Sequence, residues 1–330
     1  MVVYEHKGFH FTATSCTTRS GENLFLVIKM RGRSDILAPR LSTWEYTEDE
    51  YVSFIRENHI KCAMLILDDF SMLSRVPELE MLDLFPSYQA PNHISYESVY
   101  EMPKLRMLSP QTVYGERDRK WTEFDCGRLA SAKQLEYFSG ARKGIKNLNA
   151  LTGLKSLLLS GLREPDLQEV VGSEQLDTLS LLLGKLESLD GLQHSKALKV
   201  LSLADCYSLR DIGALAAVGP SLQGLMIDNC KNIEDFSVLG ELRELRRLSL
   251  VGTGHIPSLS FLEKMPKLET LSLTMNVEDG NLQLCDRIPH VRIWPNRRHY
   301  NRKAEQFSKG SYEELVRGDE AVDEWRRGVI

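Results

Sequence analysis

The sequence lacks the features that mark secreted mini-proteins, membrane proteins and nucleic-acid-binding domains. Its six cysteines form no Cys-x-x-Cys pair, which favours reduced thiols in a cytosolic protein over a disulfide framework or a zinc site. No apolar run approaches the roughly 18 residues that a membrane helix needs, and the first residues lack a secretory signal pattern. The 46 acidic and 41 basic residues give a net charge of −5, whereas nucleic-acid-binding domains are usually basic. We therefore expect a cytoplasmic protein without membrane contact.

Catalytic motifs are equally scarce in the 330 residues. There is no glycine-rich phosphate loop and no serine-centred elbow motif, and no cofactor or metal site is predicted. The irregular region 88–140 is the one segment in which an enzyme site is an alternative. A nucleophilic cysteine needs a histidine and an oxyanion hole close in space, and the sequence marks no such histidine, so we expect no enzyme. The side chains of that alternative site are Cys126, His93, Glu116 and Asp125.

The second half of the chain repeats the pattern Leu-x-x-Leu-x-Leu, with first leucines 22 to 24 residues apart. The last two leucines of each copy alternate with other residues, as in a strand with one buried face. A single copy cannot bury that face, whereas stacked copies form a continuous core. The copies begin at Leu154, Leu176, Leu198, Leu222, Leu245 and Leu268, and a further 23 residues lead to Val291.

These copies resemble the leucine-rich repeats of the short internalin type found in bacterial proteins, firmly over residues 148–294. The resemblance implies an α/β leucine-rich repeat solenoid, with a curved parallel sheet and short helices or 3₁₀ turns on its convex side. It is specific for the fold and unspecific for function. Cys206 and Cys230 stand where this family often has Asn, and we expect them to be small buried residues of the turn, a disulfide or metal pair being the alternative. Thr253 and Asn276 hold the same site in later copies, and Leu162 and Gly184 in earlier ones.

Both ends of the chain depart from the repeat. Residues 1–60 predict a small α/β cap, with strands over Val2–His10 and Leu24–Met30 and a helix that begins at the capping box of Thr47 and Glu50. Residues 61–147 predict irregular coils with insertions, because weaker copies of the pattern recur there at uneven gaps. These copies begin at Cys62, Leu79 and Leu105, and a degenerate one surrounds Leu135 and Phe138.

Residues 295–330 predict a C-terminal helical cap and tail, because Ser311 and Glu314 form a second capping box. The stretch 290–303 carries five basic residues and no acidic one, beside Trp294 and Tyr300. This composition is also typical of a nucleic-acid contact. We favour a solvated edge that pairs with the acidic residues of the tail.

The positions between the strand leucines face the inside of the predicted solenoid, and most of them hold small residues. We predict that this concave face binds a protein partner that supplies the large side chains. The alternative is that small polar residues simply suit a solvated sheet. The predicted contact residues are Leu158, Ser180, Leu182, Ser202, Met226, Asp228, Arg247, Ser249, Val251, Ser272, Arg292 and Trp294, and Asp83 is expected to help set the register at the end of the face.

The function indicated is therefore a non-enzymatic protein-protein interaction module. A sharper version is an immunity or inhibitor protein for a toxin, although no residue points to it. Weak self-association through the C-terminal helix or an exposed coil edge is a further alternative.

Overall fold

The structure is a computed structural model that describes residues 3–7, 9–12, 25–29, 46–87, 90–114 and 120–307. The chain forms two compact units, divided between Leu154 and Lys155. Residues 20–23, whose sequence Ser-Gly-Glu-Asn predicts a turn between the first two strands, and the C-terminal helix predicted from Ser311 lie outside the described residues.

The first unit contains a seven-stranded sheet in which β3, β4, β5, β6 and β10 are parallel and β1 and β2 add an antiparallel hairpin. The short strands β7 and β8 pair with each other, as do β9 and β11. The strands are β1 Val3–His6, β2 Phe9–Thr12, β3 Phe25–Lys29, β4 Cys62–Leu67, β5 Met81–Pro86, β6 Met107–Pro110, β7 Val113–Tyr114, β8 Lys120–Trp121, β9 Phe124–Asp125, β10 Tyr137–Ala141 and β11 Ile145–Lys146.

The N-terminal cap differs from the prediction in one respect. The single strand expected over Val2–His10 was wrong: Lys7 takes a positive φ of 53°, and the chain turns back there, so that β1 and β2 pair antiparallel. The capping box is confirmed, since the Thr47 hydroxyl accepts from the Glu50 amide and the Glu50 carboxylate accepts from the Thr47 amide. The helices of the unit are α1 Glu48–Glu57, α2 Glu97–Tyr100 and 3₁₀ turns at Ser71–Arg75, Cys126–Ser131 and Leu148–Ala150.

Both faces of this first sheet are buried. One face carries the leucines of the weak copies, such as Leu82 and Leu108, and Phe138 of the degenerate copy, all fully buried. The opposite face carries a second apolar cluster, so residues 61–147 do not have the small, exposed face that the regular repeats predict. The cluster consists of Phe25, Val27, Cys62, Met64, Ile66, Met81, Met107 and Tyr137.

The second unit contains seven parallel strands in a single register. The first strand leucines, from Leu157 to Leu271, pair side by side, and Val291 continues the row. The predicted copies and their phase are confirmed, including the one at Val291. The strands are β12 Ser156–Ser160, β13 Thr178–Leu182, β14 Val200–Ala204, β15 Gly224–Asp228, β16 Arg247–Val251, β17 His255–Ile256, β18 Thr270–Leu273, β19 Asn276–Val277 and β20 His290–Ile293, and β17 pairs only with β19.

Each return from one strand to the next passes through turns or a short 3₁₀ helix whose apolar residues complete the core. Leu192, Leu215, Leu239 and Leu262 are fully buried in this way. Because neighbouring strands of the sheet share backbone hydrogen bonds in one register, the leucine rows stack into one continuous core. The 3₁₀ helices of the unit are Leu192–His194, Gly213–Val218, Ser237–Glu241, Ser260–Lys264, Gln283–Arg287 and Ala304–Gln306.

The turn cysteines are placed as predicted. Cys206 and Cys230 are free, buried thiols whose Sγ atoms lie 3.6 Å from the Ala204 carbonyl and 3.4 Å from the Asp228 carbonyl. The corresponding expectation for Thr253 was wrong, because Thr253 is exposed and the buried residue of that turn is Gly254.

Two glycines of this unit have a positive φ but differ in the room available for an added Cβ, so the same substitution at each gives a matched test. Gly161 has a φ of 71° with no atom within 4 Å of an added Cβ, whereas Gly191 has a φ of 104° and its Cβ would lie 2.5 Å from the backbone of Leu167 and Gln168. Gly161→Ala should lower the free energy of unfolding by about 1 kcal/mol through its left-handed backbone. Gly191→Ala should cost about 1–3 kcal/mol more, because the backbone of the preceding coil must also move.

Urea titrations followed by circular dichroism measure both changes. Equal losses in the two variants would contradict the close coil contact at Gly191.

Candidate binding face of the second unit

The face of the second sheet opposite the leucine core is called the open face. Alternation along each strand places three residues of that strand on it, and the register aligns them into three columns across the unit. All twelve predicted contact residues lie in these columns. The columns are Ser156, Thr178, Val200, Gly224, Arg247, Thr270 and His290; Leu158, Ser180, Ser202, Met226, Ser249, Ser272 and Arg292; and Ser160, Leu182, Ala204, Asp228, Val251, Thr274 and Trp294.

The middle column forms the floor of the open face. It carries four serines, at 180, 202, 249 and 272, which stand between the larger Leu158, Met226 and Arg292. Ser202 is only 5% exposed, so a partner would reach its hydroxyl only with a small group. The floor therefore offers hydroxyl donors and acceptors, with apolar contacts at Leu158 and Met226.

The third column, at the carboxyl ends of the strands, carries the most exposed large side chains. Leu182 is 40% exposed and Trp294 is 69% exposed. Ala204 lies between Leu182 and Asp228 in the register, so the column dips there. Burial and the neighbouring charge of Asp205 raise the pKa of the Asp228 carboxyl above its ordinary value.

The turns that follow the strands hold residues that the sequence analysis missed. One residue after each of the first five strands takes a left-handed conformation, with φ between 52° and 113°. The amide of that residue in the first four turns donates to the last carbonyl of the next strand, as from Leu183 to Ala204 at 3.0 Å. The run Leu181-Leu182-Leu183 breaks the strand alternation and was the available signal. The left-handed residues are Gly161, Leu183, Asp205, Asn229 and Gly252.

Tyr207 extends this exposed region into the next turn. Its side chain is 48% exposed and its hydroxyl donates to the Asp205 carboxylate at 2.7 Å. The Asn229 side-chain amide donates to the same carboxylate oxygen at 3.2 Å. Asp205 thus fixes the Tyr207 ring and links two neighbouring turns.

Several side chains of the basic stretch 290–303 form hydrogen bonds or an ion pair with the last coil. The Tyr300 hydroxyl is buried and accepts from the Val277 amide at 3.0 Å, and His299 Nε2 lies 2.8 Å from the Val277 carbonyl. Arg302 pairs with Asp286 at 3.0 Å. Trp294 and Arg292 remain exposed at the end of the open face.

The residues of the alternative enzyme site do not assemble a nucleophile. Cys126 is 2% exposed, and burial raises the pKa of its thiol to about 12, the opposite of what a reactive thiolate needs. The Asp125 carboxylate accepts from the Gly127 amide at 2.9 Å and from the Asn147 side chain at 2.7 Å, so it closes a turn. His93 is exposed, and Glu116 lies outside the described residues.

No protein-family profile matches the sequence. Among solved structures, the chain is similar to an internalin (inlF) from Listeria monocytogenes, with 14% identity and a TM-score of 0.51 over 82% of this chain and 79% of that one. It is also similar to TLR13 in a complex with ssRNA13, with 16% identity and a TM-score of 0.53 over 76% of this chain and 41% of that one. This chain has the leucine-rich repeat fold. The short internalin-type repeats that the sequence resembles therefore correspond to real coils.

Two further properties of the described residues bear on the kind of site this leucine-rich repeat fold carries. In the part of the chain that the structure describes, no cluster of three or more His, Cys, Asp or Glu side chains could hold a metal ion. None of the described helices has the length and apolar composition required to cross a bilayer.

Asp83 was expected to help set register on an exposed face, and that expectation was wrong. Asp83 lies in β5 between Met64 and Ser109 in the register and is 4% exposed. Burial raises the pKa of its carboxyl to about 7, against a smaller lowering by a hydrogen bond from Ser109. It is a buried acid in the apolar cluster of the first unit.

This burial predicts a pH-dependent stability. Because the folded state holds the Asp83 proton more tightly than the unfolded state, the contribution of Asp83 is fully present below about pH 4 and is lost as the pH rises through about 7. Asp83→Asn should remove this dependence and be the more stable protein at pH 8, by roughly a few kcal/mol.

Urea midpoints of both proteins between pH 5 and pH 8 measure the difference. A constant difference across this range would contradict the raised pKa.

Proposed function

We propose that the chain is a non-enzymatic module that binds a protein partner on the open face of its second unit. One observation carries the proposal. Five large hydrophobic side chains are exposed among the described residues, and four of them lie on the open face or in the turns that follow its strands. Three of these four end or follow the neighbouring strands β13 and β14, and the fourth follows the last strand, β20. Exposed apolar groups rimmed by polar ones are typical of interaction surfaces. The four are Leu182, Leu183, Tyr207 and Trp294.

The chemistry of the face suits a protein ligand. Serine hydroxyls along the floor can hydrogen-bond to backbone groups, while Leu158 and Met226 offer half-buried apolar contacts. Arg247 and Arg292 lie toward one end and Asp228 lies near the middle, so the charges set orientation more than affinity. The similarity to an internalin and to TLR13 supports the fold on which such a face is built.

We further propose that the protein is bacterial and works in the cytoplasm. The first part rests on the resemblance of its repeats to the internalin type. The second rests on the five described cysteines, all of which are free and buried. Reduced thiols persist in the cytosol, whereas oxidising compartments favour disulfides.

Affinity capture from a lysate of the organism that encodes the chain tests the binding face. The wild type is compared with the double variant Leu158→Glu, Met226→Glu, which places two carboxylates on the floor of the open face, at its first and fourth strands. A buried unpaired charge costs several kcal/mol, enough to abolish a micromolar complex. We expect a partner that the wild type captures and the double variant loses.

The matched control is Gln193→Glu, Gln283→Glu, which adds the same charge at exposed positions of the 3₁₀ helices. The control should capture as the wild type does. Capture that both double variants retain would contradict a binding role of the open face.

A further inference from the structure

A group of three exposed apolar residues lies where the open face meets its turns. It consists of Leu182, Leu183 and Tyr207, which are 40%, 54% and 48% exposed, and is called the apolar edge. Leu183 donates its amide to the Ala204 carbonyl at 3.0 Å, and Tyr207 follows Ala204 by three residues. The three residues therefore belong to two adjacent coils and lie at or just after the carboxyl ends of the neighbouring strands β13 and β14.

Leucine is an unfavourable residue type for the backbone conformation at position 183. Its φ is 58°, and the equivalent turn positions hold Gly161, Asp205, Asn229 and Gly252, the residue types that tolerate left-handed backbone. A leucine costs about 1 kcal/mol or more at such a position. Burial of the side chain does not offset this cost, because Leu183 is 54% exposed. The choice of leucine therefore points to a contact outside the chain.

A carboxylate lies across the dip from the apolar edge. Asp228 and Leu182 flank Ala204 in the register, so their strands are about 9–10 Å apart. Within the described ranges, the Asp228 side chain has no hydrogen bond and no ion pair. In the adjacent turn, one carboxylate oxygen of Asp205 already accepts from the Tyr207 hydroxyl and the Asn229 side-chain amide. Asp228 is thus the acceptor left open beside an exposed apolar surface.

We infer that the apolar edge and Asp228 together bind a lysine or arginine side chain carried by an apolar segment of a protein partner. The methylene stem would lie over Ala204 against Leu182, and the cation would pair with Asp228, as long basic side chains do when they cover apolar surface. An adjacent apolar residue of the partner would cover Leu183 and Tyr207. This inference rests on the proposed function and names the chemistry of its partner.

The charges decide against other macromolecules. Phosphate groups of a nucleic acid or a lipid surface would lie near the carboxylates of Asp205 and Asp228 beside the apolar edge. The negative charges of the two carboxylates would repel such phosphates. A cation relieves the repulsion between these two acids, so complementarity selects a basic protein segment.

Panning a phage library of random 12-residue peptides against the full chain tests this inference. We expect the enriched peptides to share a lysine or arginine next to an aliphatic or aromatic residue. Synthetic copies of the strongest peptide, titrated by fluorescence anisotropy, then measure the effect of each variant. Leu183→Asn should weaken binding at least tenfold while leaving the thermal midpoint unchanged or higher, since asparagine tolerates the turn conformation.

Asp228→Asn should also weaken binding at least tenfold, and it should remove the preference for the basic peptide over its norleucine analogue. Glu187→Gln is the charge control, because Glu187 is exposed in the same unit and lies on the return between two strands, away from the apolar edge. Its affinity should equal that of the wild type.

Several results would overturn the inference: no enriched peptide, enriched peptides without a basic residue, or unchanged affinity in Leu183→Asn and Asp228→Asn. A dimer in light scattering that Leu183→Asn dissociates would assign the apolar edge to a second copy and also overturn it. If Leu158→Glu, Met226→Glu loses a captured protein that Leu183→Asn retains, the proposed function stands and this inference fails. If neither variant changes capture, both fail.

Discussion

The structure depends on the burial of alternate strand leucines by neighbouring coils. A coil of 22 to 24 residues exposes its leucine face unless another coil covers it, so each strand is stable only between its neighbours. In the second unit Leu159, Leu181 and Leu203 are at most 1% exposed because the strands share one register. The same alternation sends every other side chain to the open face. The same alternation along each strand therefore produces both the leucine core and the candidate binding face.

The turns apply a second constraint on top of the first. The chain must reverse out of a strand while its amide still bonds the neighbouring strand, and after each of the first four strands of the second unit a left-handed residue achieves both. Gly161, Asp205 and Asn229 meet this demand with tolerant residue types, whereas Leu183 does not. At Leu183 the required backbone conformation has an energetic cost, and the side chain is left exposed. Selection for a contact with a partner is the simplest physical explanation for a leucine at this position.

The sequence predicted the structure correctly where a single repeat period sets the positions of the apolar residues. The strands of the second unit, their register and the buried Cys206 and Cys230 followed from the repeat. The hairpin at Lys7 did not, because a positive φ at a lysine has no strong local signal. Asp83 was misplaced because the first unit buries both faces of its sheet, a property of tertiary packing that alternation does not reveal. Tyr207 was missed since it lies in a turn, outside the strand template.

Footprinting by hydroxyl radicals, read by mass spectrometry on the full chain alone and with its captured partner, tests the central claim most directly. If the open face of the second unit is the binding surface, protection will fall on peptides that contain Leu182, Tyr207 and Met226, while exposed 3₁₀ residues such as His194 keep their reactivity. Protection confined to the returns between strands, or to the first unit, would contradict the account.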